Sequence, residues 1–296
     1  MTEITLENRG IINSYLANNG EFSCENSFVN LLVWQKSYHN CYKIYDDCFL
    51  LYSKSNGKKL YRLPLCDDFI KGFKNIIEHN DGKLPFIWAQ DGERFETFKK
   101  LYGDKYDFFE IRDAFDYIYN SKDLAELSGK KYHSKRNHIS AFSKKYDWQY
   151  KTITNELKDK VLACADKWYK ENEDRLDKYM LVEREGISTI INNMDLLDAK
   201  GGAIIVNDEV VAFTLGSPIN DFVFDVHIEK ALSKYSEAYT VINREFVKNE
   251  LFEYKYINRE DDMGLMGLRK AKLSYKPEIL LKKYRCVPKG EADEEY

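Results

Sequence analysis

The stretch "GGAIIVNDEVVAFTLGSPINDFVFDVHIEKA" (residues 201–231) decides the fold. Three runs rich in β-branched and aromatic residues are separated by two turn signals, Asn207-Asp208 and the "SPIND" loop at 217–221. Such runs, bounded by Asn, Asp, Gly and Pro, read as a meander of antiparallel strands. Successive side chains on a strand point to opposite faces, so the third run sorts itself. Phe222, Phe224, Val226 and Ile228 face one way; Asp225, His227 and Glu229 face the other. A solvated sheet face is the plain reading of that second set. An imidazole filed between two carboxylates is, however, a proton-handling arrangement near neutral pH.

Working outward, "WQYKTIT" (148–154) reads as a strand, and residues 155–172 as a helix with Leu157, Val161, Ala165 and Trp168 on one face. A further helical run surrounds residues 183–197. After the meander come a helix at 236–251, a short strand ending at Asn258, and a basic helix from Gly264 onward. On helical spacing, Leu265, Leu268, Ala271 and Tyr275 should face the core while Arg269, Lys272 and Lys276 share another ridge. Asn258, Arg259, Glu260 and Asp261 form the polar mouth between that strand and that helix.

The first half carries a looser version of the same plan. Residues 41–53 and 58–65 form a strand pair, 67–80 a helix, 84–91 a buried strand, 92–103 a helix closed by glycine, and 106–120 strand material. The order is mixed α/β, with the boundary between halves near residues 146–149. The segment at 127–145 holds Lys130, Lys131, Lys135, Arg136, Lys144 and Lys145 with no acid between Glu126 and Asp147, and Ile139, Phe142 and Tyr146 form a stripe that docks it. An ordinary helix with a soluble face would look like this. In a chain of net charge −4, a local anion site explains the clustering more economically.

The 296 residues suffice for one large or two medium domains, and 44% hydrophobic with 32% charged residues is globular composition. The net charge argues against a protein that coats nucleic acid. The N-terminus lacks the pattern of a signal peptide, and no run approaches the ~18 apolar residues of a membrane span, so a cytoplasmic protein is expected. Six scattered cysteines without a C-x-x-C pair read as reduced thiols, with neither disulfides nor a zinc site. P-loop, G-x-G-x-x-G, G-x-S-x-G and H-E-x-x-H motifs are absent, as is any metal-spaced Cys/His cluster, and no metal is expected.

Four blocks, "LSGKKYHSKRNHISAF" (127–142), "VHIEKA" (226–231), "AYTVINREF" (238–246) and "YINREDDMGLMGLRKAKLSYKP" (256–277), carry a resemblance. In this order they resemble the soluble bacterial proteins of the domain family shared with the C-terminal catalytic region of phosphatidylglycerol lysyltransferases. The resemblance implies two tandem GNAT-like acyltransferase domains, 1–147 and 148–296, each a mixed, mostly antiparallel sheet flanked by helices, with the active site in the second. It further implies transfer of an aminoacyl group from aminoacyl-tRNA to an unidentified acceptor, a lipid-like molecule, peptide or small molecule. Asp225, His227, Glu229 and Tyr275 are then candidate catalytic residues, with the general base left open among them. Lys130, Lys131, His133, Lys135, Arg136, Asn137, Lys230, Asn258, Arg259, Arg269, Lys270 and Lys272 are candidates for holding tRNA or another anionic donor. No tightly bound cofactor is implied.

Two departures from the family pattern are visible. The membrane-acting lysyltransferases have an integral membrane portion that this sequence lacks, although peripheral membrane contact stays open. The loop after "VHIEKA" lacks the Gly-rich pattern by which ordinary GNAT enzymes wrap acetyl-CoA with backbone amides. An acyl-CoA-dependent N-acyltransferase and a non-catalytic module binding RNA or a phosphorylated ligand are the two other readings, and the oligomeric state stays open.

Overall fold

The computed structural model describes residues 2–17, 21–55 and 58–292. Residues 293–296 of the acidic tail lie outside them. Among the described residues, fourteen strands form two seven-stranded sheets. They are β1 (Thr2–Glu3), β2 (Cys41–Tyr45), β3 (Cys48–Ser55), β4 (Lys58–Arg62), β5 (Phe86–Gln90), β6 (Tyr106–Glu110) and β7 (Asp116–Asn120), followed by β8 (Trp148–Thr152), β9 (Lys200–Val206), β10 (Glu209–Pro218), β11 (Val223–Ala231), β12 (Tyr256–Asn258), β13 (Ile279–Leu281) and β14 (Lys283–Pro288).

The order in the first sheet is β1-β2-β3-β4-β5-β14-β6, and in the second β13-β7-β12-β11-β10-β9-β8. One architectural unit recurs in each. Three antiparallel strands (β2-β3-β4, and β9-β10-β11) run into a helix, which returns the chain to a strand parallel to the third. A parallel neighbour requires such a crossover, because a hairpin can only reverse direction. The crossover helices are Phe69–His79 and Ala238–Glu250. Asp68 starts the first by accepting a hydrogen bond from the Lys71 backbone at 3.0 Å, and its Phe73 and Ile76 are fully buried. The sheets are mixed, mostly antiparallel and flanked by helices, which is the tandem GNAT-like arrangement expected.

The sheets exchange strands across residue 147. From the first half, β7 enters the second sheet between β12 and β13; from the C-terminus, β14 enters the first between β5 and β6. The exchange is anchored by charge. Lys283, at the start of β14, places its Nζ 2.7 Å from Asp116 at the start of β7 and 2.7 Å from Glu25. Lys283 and Asp116 are completely buried. Cys24 adds its backbone N–H to Asp116 at 2.9 Å, and its thiol lies 3.4 Å from Lys283. Burial and the neighbouring Asp116 carboxylate hold that thiol protonated, well above its ordinary pKa. All six cysteines are free thiols, five of them buried.

The C-terminal basic helix, Met266–Leu273, turns the opposite way from the expectation of its spacing. Leu265 and Met266 are 58% and 71% exposed, and Leu268 and Leu273 are exposed as well, while Lys272 is buried. The reason is local: Lys272 Nζ donates to the backbone carbonyls of Arg259, at 2.5 Å, and Asp261. A buried ammonium satisfied by carbonyls fixes the rotation of this short helix, and its leucines are left outward. Among the described residues no helix is long and apolar enough to cross a membrane.

Removing the Lys283 charge would leave the buried Asp116 without its cation and Glu25, which Arg62 also faces, with one cation fewer. Lys283→Met is therefore expected to lower the unfolding free energy by about 3–5 kcal/mol in urea titration. The surface pair Lys99–Glu96, broken by Lys99→Met, should change it by less than about 1 kcal/mol.

Candidate functional site

The edge between β10 and β11 is irregular at one place. Leu215 pairs with Ile228 and Gly216 with Val226, so His227 is the extra residue of a β-bulge. Bulges re-aim side chains, and this one needs glycine opposite it. A Cβ on Gly216 would lie 2.2 Å from the Asp225 carbonyl oxygen and 2.4 Å from the Phe224 ring.

His227 thereby enters the polar layer between the sheets, where its side chain is only 4% exposed. Its Nε2 lies 2.8 Å from Ser217 Oγ, near the end of β10, and 3.5 Å from Ser27 Oγ. Its Nδ1 lies 3.0 Å from Glu260 Oε1 and 3.4 Å from Asp225 Oδ2. A carboxylate at Glu260 accepts the Nδ1 hydrogen, which leaves the Nε2 lone pair free to accept from the Ser217 hydroxyl. Glu260 is well fixed for this. Its backbone sits in the left-handed region at φ +53°, its N–H donates to Asn258 Oδ1 at 2.7 Å, and its Oε1 accepts from Asn30 Nδ2 at 3.0 Å.

Asp225 lies opposite Ser217 in the β10–β11 register and is completely buried, and neither of its oxygens has a hydrogen-bond partner among the described residues. Burial first, then the negative charge of Glu260, pushes its pKa well above the carboxylate range. The ligand atoms of Asp225, His227 and Glu260 lie within 4.8 Å of one another, so these three side chains could also hold a divalent ion. The sequence offers no metal-spaced pattern for them, because Glu260 joins from a different strand.

A cavity of about 380 Å³ adjoins this group at Ser217, with Asn26, Phe28, Ile219, Asn220 and Arg9 also in its wall. Asn26 Nδ2 and Arg9 Nε are buried donors without a hydrogen-bond partner among the described residues. Buried donors of this kind are rare in folded proteins, and both line the same cavity as Ser217.

A second group occupies the place where β11 and β12 part. These strands pair only from Val223–Tyr256 to Asp225–Asn258, and beyond that Glu229 reaches Arg259 at 2.7 Å. Asn243 Nδ2 lies 3.2 Å from the other Glu229 oxygen. The guanidinium of Arg259 lies 4.9 Å from the centre of the Tyr275 ring, and Lys135 Nζ lies 3.7 Å from it on the same ring. Burial, aided by Arg259, brings the Lys135 pKa down to about 8. Tyr275 is buried and its hydroxyl pushed up by that burial. The four candidate catalytic residues thus divide: Asp225 and His227 stand together, whereas Glu229 and Tyr275 share Arg259.

The candidate anion-binding residues divide too. Arg269 is held by Asp262, at 2.9 and 2.7 Å, and by Asp113 at 2.6 Å, so its charge is answered inside the protein. Lys272 is buried as described, and Asn258 is buried against Asp116 and the Phe22 carbonyl. Lys230 pairs with Glu183 at 2.7 Å and stacks on Trp168. Arg136 donates to the carbonyls of Leu127 and Gly129, and Lys131 pairs with Asp123. Lys130, His133, Asn137 and Lys270 are exposed, His133 and Asn137 meeting each other at 3.2 Å. The structure adds Ser217, Glu260, Ser27 and Asn30 to the surroundings of His227. Ser217 reads in the sequence as part of a turn, and Glu260 as part of a polar mouth; neither carries a signal that it meets His227.

Two mixed sheets in tandem, each with a helical crossover to a parallel strand, place the protein in the GNAT-like acyltransferase class of folds. The chain matches the family described as "Phosphatidylglycerol lysyltransferase, C-terminal" over residues 17–287, and it belongs to that family. A conserved protein of unknown function from Bacteroides thetaiotaomicron VPI-5482 superposes with a TM-score of 0.90 at 34% identity, covering 97% of this chain and 99% of the other. L-PGS from Bacillus licheniformis superposes with a TM-score of 0.66 at 16% identity, covering 98% and 94%, a likeness of fold. An uncharacterized protein of Mycoplasmoides gallisepticum is 29% identical over 226 residues, which is 74% of this chain and 70% of that protein.

Gly216→Ala is expected to force β10 away from β11 and to lower the unfolding free energy by about 1–3 kcal/mol, read from the urea midpoint. Gly267→Ala, where a Cβ meets nothing within 4 Å, should leave stability unchanged or slightly raise it.

Proposed function

We propose that this protein transfers an aminoacyl group from an aminoacyl-tRNA to a nucleophilic acceptor, with His227 as the proton acceptor. The observation that carries the reading is the disposition of His227, with one nitrogen on Glu260 and the other on Ser217, itself a residue of the cavity wall, in a chain of a lysyltransferase family. An aminoacyl ester is already activated. The protein need only position it, accept a proton from the attacking group and stabilise the developing oxyanion. His227 in its Nδ1–H form meets the second requirement, and the buried, unpaired donors of Asn26 and Arg9 meet the third.

The opening between β11 and β12 fits an anionic part of the donor, because Lys135 stands there, 3.7 Å from the centre of the Tyr275 ring that Arg259 also faces. Lys135 carries its charge below about pH 8 and loses it above. Binding of deacylated tRNA is expected to weaken between pH 7 and pH 9 in a gel-shift titration at fixed salt. Lys135→Arg, which stays charged, should remove most of that pH dependence.

The direct test is transfer of label from bulk aminoacylated tRNA into lipid, peptide and small-molecule fractions, with acetyl-CoA as the competing donor. Loss of the tRNA ester that depends on the protein and falls about 100-fold or more in His227→Ala, at unchanged melting temperature, is the expected result. A protein that consumes acetyl-CoA and ignores aminoacyl-tRNA would overturn the donor assignment.

A further inference from the structure

We propose that Ser217 is a nucleophile and that acyl transfer passes through an ester on its Oγ. The inference rests on the acyl-transfer reading above and adds a step to it. Three observations converge on this side chain. Its hydroxyl lies 2.8 Å from His227 Nε2, and the opposite nitrogen of that ring lies 3.0 Å from Glu260 Oε1, so carboxylate, imidazole and hydroxyl stand in line. That is the geometry by which a weak hydroxyl nucleophile is activated, and it is recognised by the mutual placement of the three groups and not by their order in the chain. Ser217 is only 1% exposed, and it is among the residues that line the cavity. Asn26 Nδ2, in the same wall, is a buried donor with no acceptor among the described residues, as an oxyanion site requires before substrate arrives.

A purely structural serine explains less. Ser27 Oγ at 3.2 Å already offers the Ser217 hydroxyl a partner, and His227 could be satisfied by Glu260 alone. The strained Glu260 backbone and the glycine-dependent bulge both serve to aim the imidazole at Ser217. Structural burial of a hydroxyl calls for neither.

The step balances without a co-reactant. Ser217 Oγ attacks the acyl carbonyl carbon as its proton passes to His227 Nε2, and the carbonyl electron pair moves onto oxygen. Collapse re-forms the carbonyl and breaks the bond from carbon to the donor's alcohol oxygen, which leaves with the proton from Nε2. The acceptor then attacks the Ser217 ester, giving its proton to Nε2, and Ser217 Oγ departs and takes that proton back.

The experiment is a rapid-mixing assay of the full chain with p-nitrophenyl acetate, followed by intact and peptide mass spectrometry, run beside label transfer from aminoacyl-tRNA. The expected result is a nitrophenolate burst approaching one equivalent per chain and an acetyl group mapped to Ser217. The burst should be lost in Ser217→Ala and slowed about 100-fold or more in His227→Gln. Ser217→Cys, which keeps a nucleophile in place, should accumulate a thioester at the same position, so a folding defect in the alanine variant does not decide the matter. Wild-type protein left unacetylated at Ser217, or Ser217→Ala that transfers from aminoacyl-tRNA at the wild-type rate, overturns the nucleophile while leaving the transferase reading in place. Acetylation at Ser217 in a protein inert to aminoacyl-tRNA overturns that donor and leaves the nucleophile standing.

Discussion

The buried ion pair of Lys283 with Asp116 and Glu25 is the constraint on which the rest of the structure depends. Each of these residues begins or adjoins a segment that sequence distance would separate: Asp116 opens β7 in the second sheet, Lys283 opens β14 in the first, and Glu25 lies in the N-terminal region before either. Charges this deeply buried are tolerated only in company. Burial tends to raise the Glu25 pKa, yet the Lys283 ammonium, with Arg62 and the Ser23 hydroxyl, brings it down to about 2. Burial and the Glu25 charge push Asp116 the other way, and Lys283 is held protonated well above its ordinary range by the Asp116 carboxylate against its own burial. The ion cluster therefore ties together the two strands that cross between the sheets.

From this anchor the polar layer continues to the site. Asp116 accepts from Asn258 Nδ2 at 3.0 Å, Asn258 is the register partner of Asp225 on β11, and the Asn258 side-chain oxygen holds the backbone of Glu260. So the residue that orients His227 is itself set by the asparagine bound to the central aspartate. Asn30 and Ser27, contributed by the N-terminal half, complete the surroundings of Glu260 and Ser217. The reactive group is consequently a property of both halves, although the strand that bears His227 belongs wholly to the second.

Much of this is legible in the sequence, and the part that is not has physical causes. The meander at 201–231 and the recurring plan of strands, crossover helix and strand follow from local periodicity and turn chemistry, which act over a few residues. Alternation places Asp225 and His227 on one face, as found. The entries of β7 and β14 into opposite sheets are non-local pairings, and short strands carry no label of their partner. Ser217 and Glu260 escape notice for related reasons: one meets His227 through a bulge that shifts the register by a residue, the other through a left-handed backbone. The helix at 266–273 is the clearest reversal. Its apolar spacing points the leucines inward, but Lys272 finds two carbonyl partners in the interior and turns them out, so a specific polar contact overrides amphipathicity. Arg269, which stands out as a free cation in the sequence, is claimed by Asp262 and Asp113 from separate segments.

We propose that acyl chemistry takes place at His227, in the layer between the sheets, and that the opening between β11 and β12 holds the donor's charged portion. A crystal structure of the protein with a non-hydrolysable aminoacyl-adenosine analogue tests it most directly. The expected result is the analogue's carbonyl group in the cavity at Ser217, within hydrogen-bonding reach of Asn26 Nδ2. An analogue whose carbonyl lies against Glu229, Arg259 and Tyr275, with the Ser217 cavity unfilled, would contradict it.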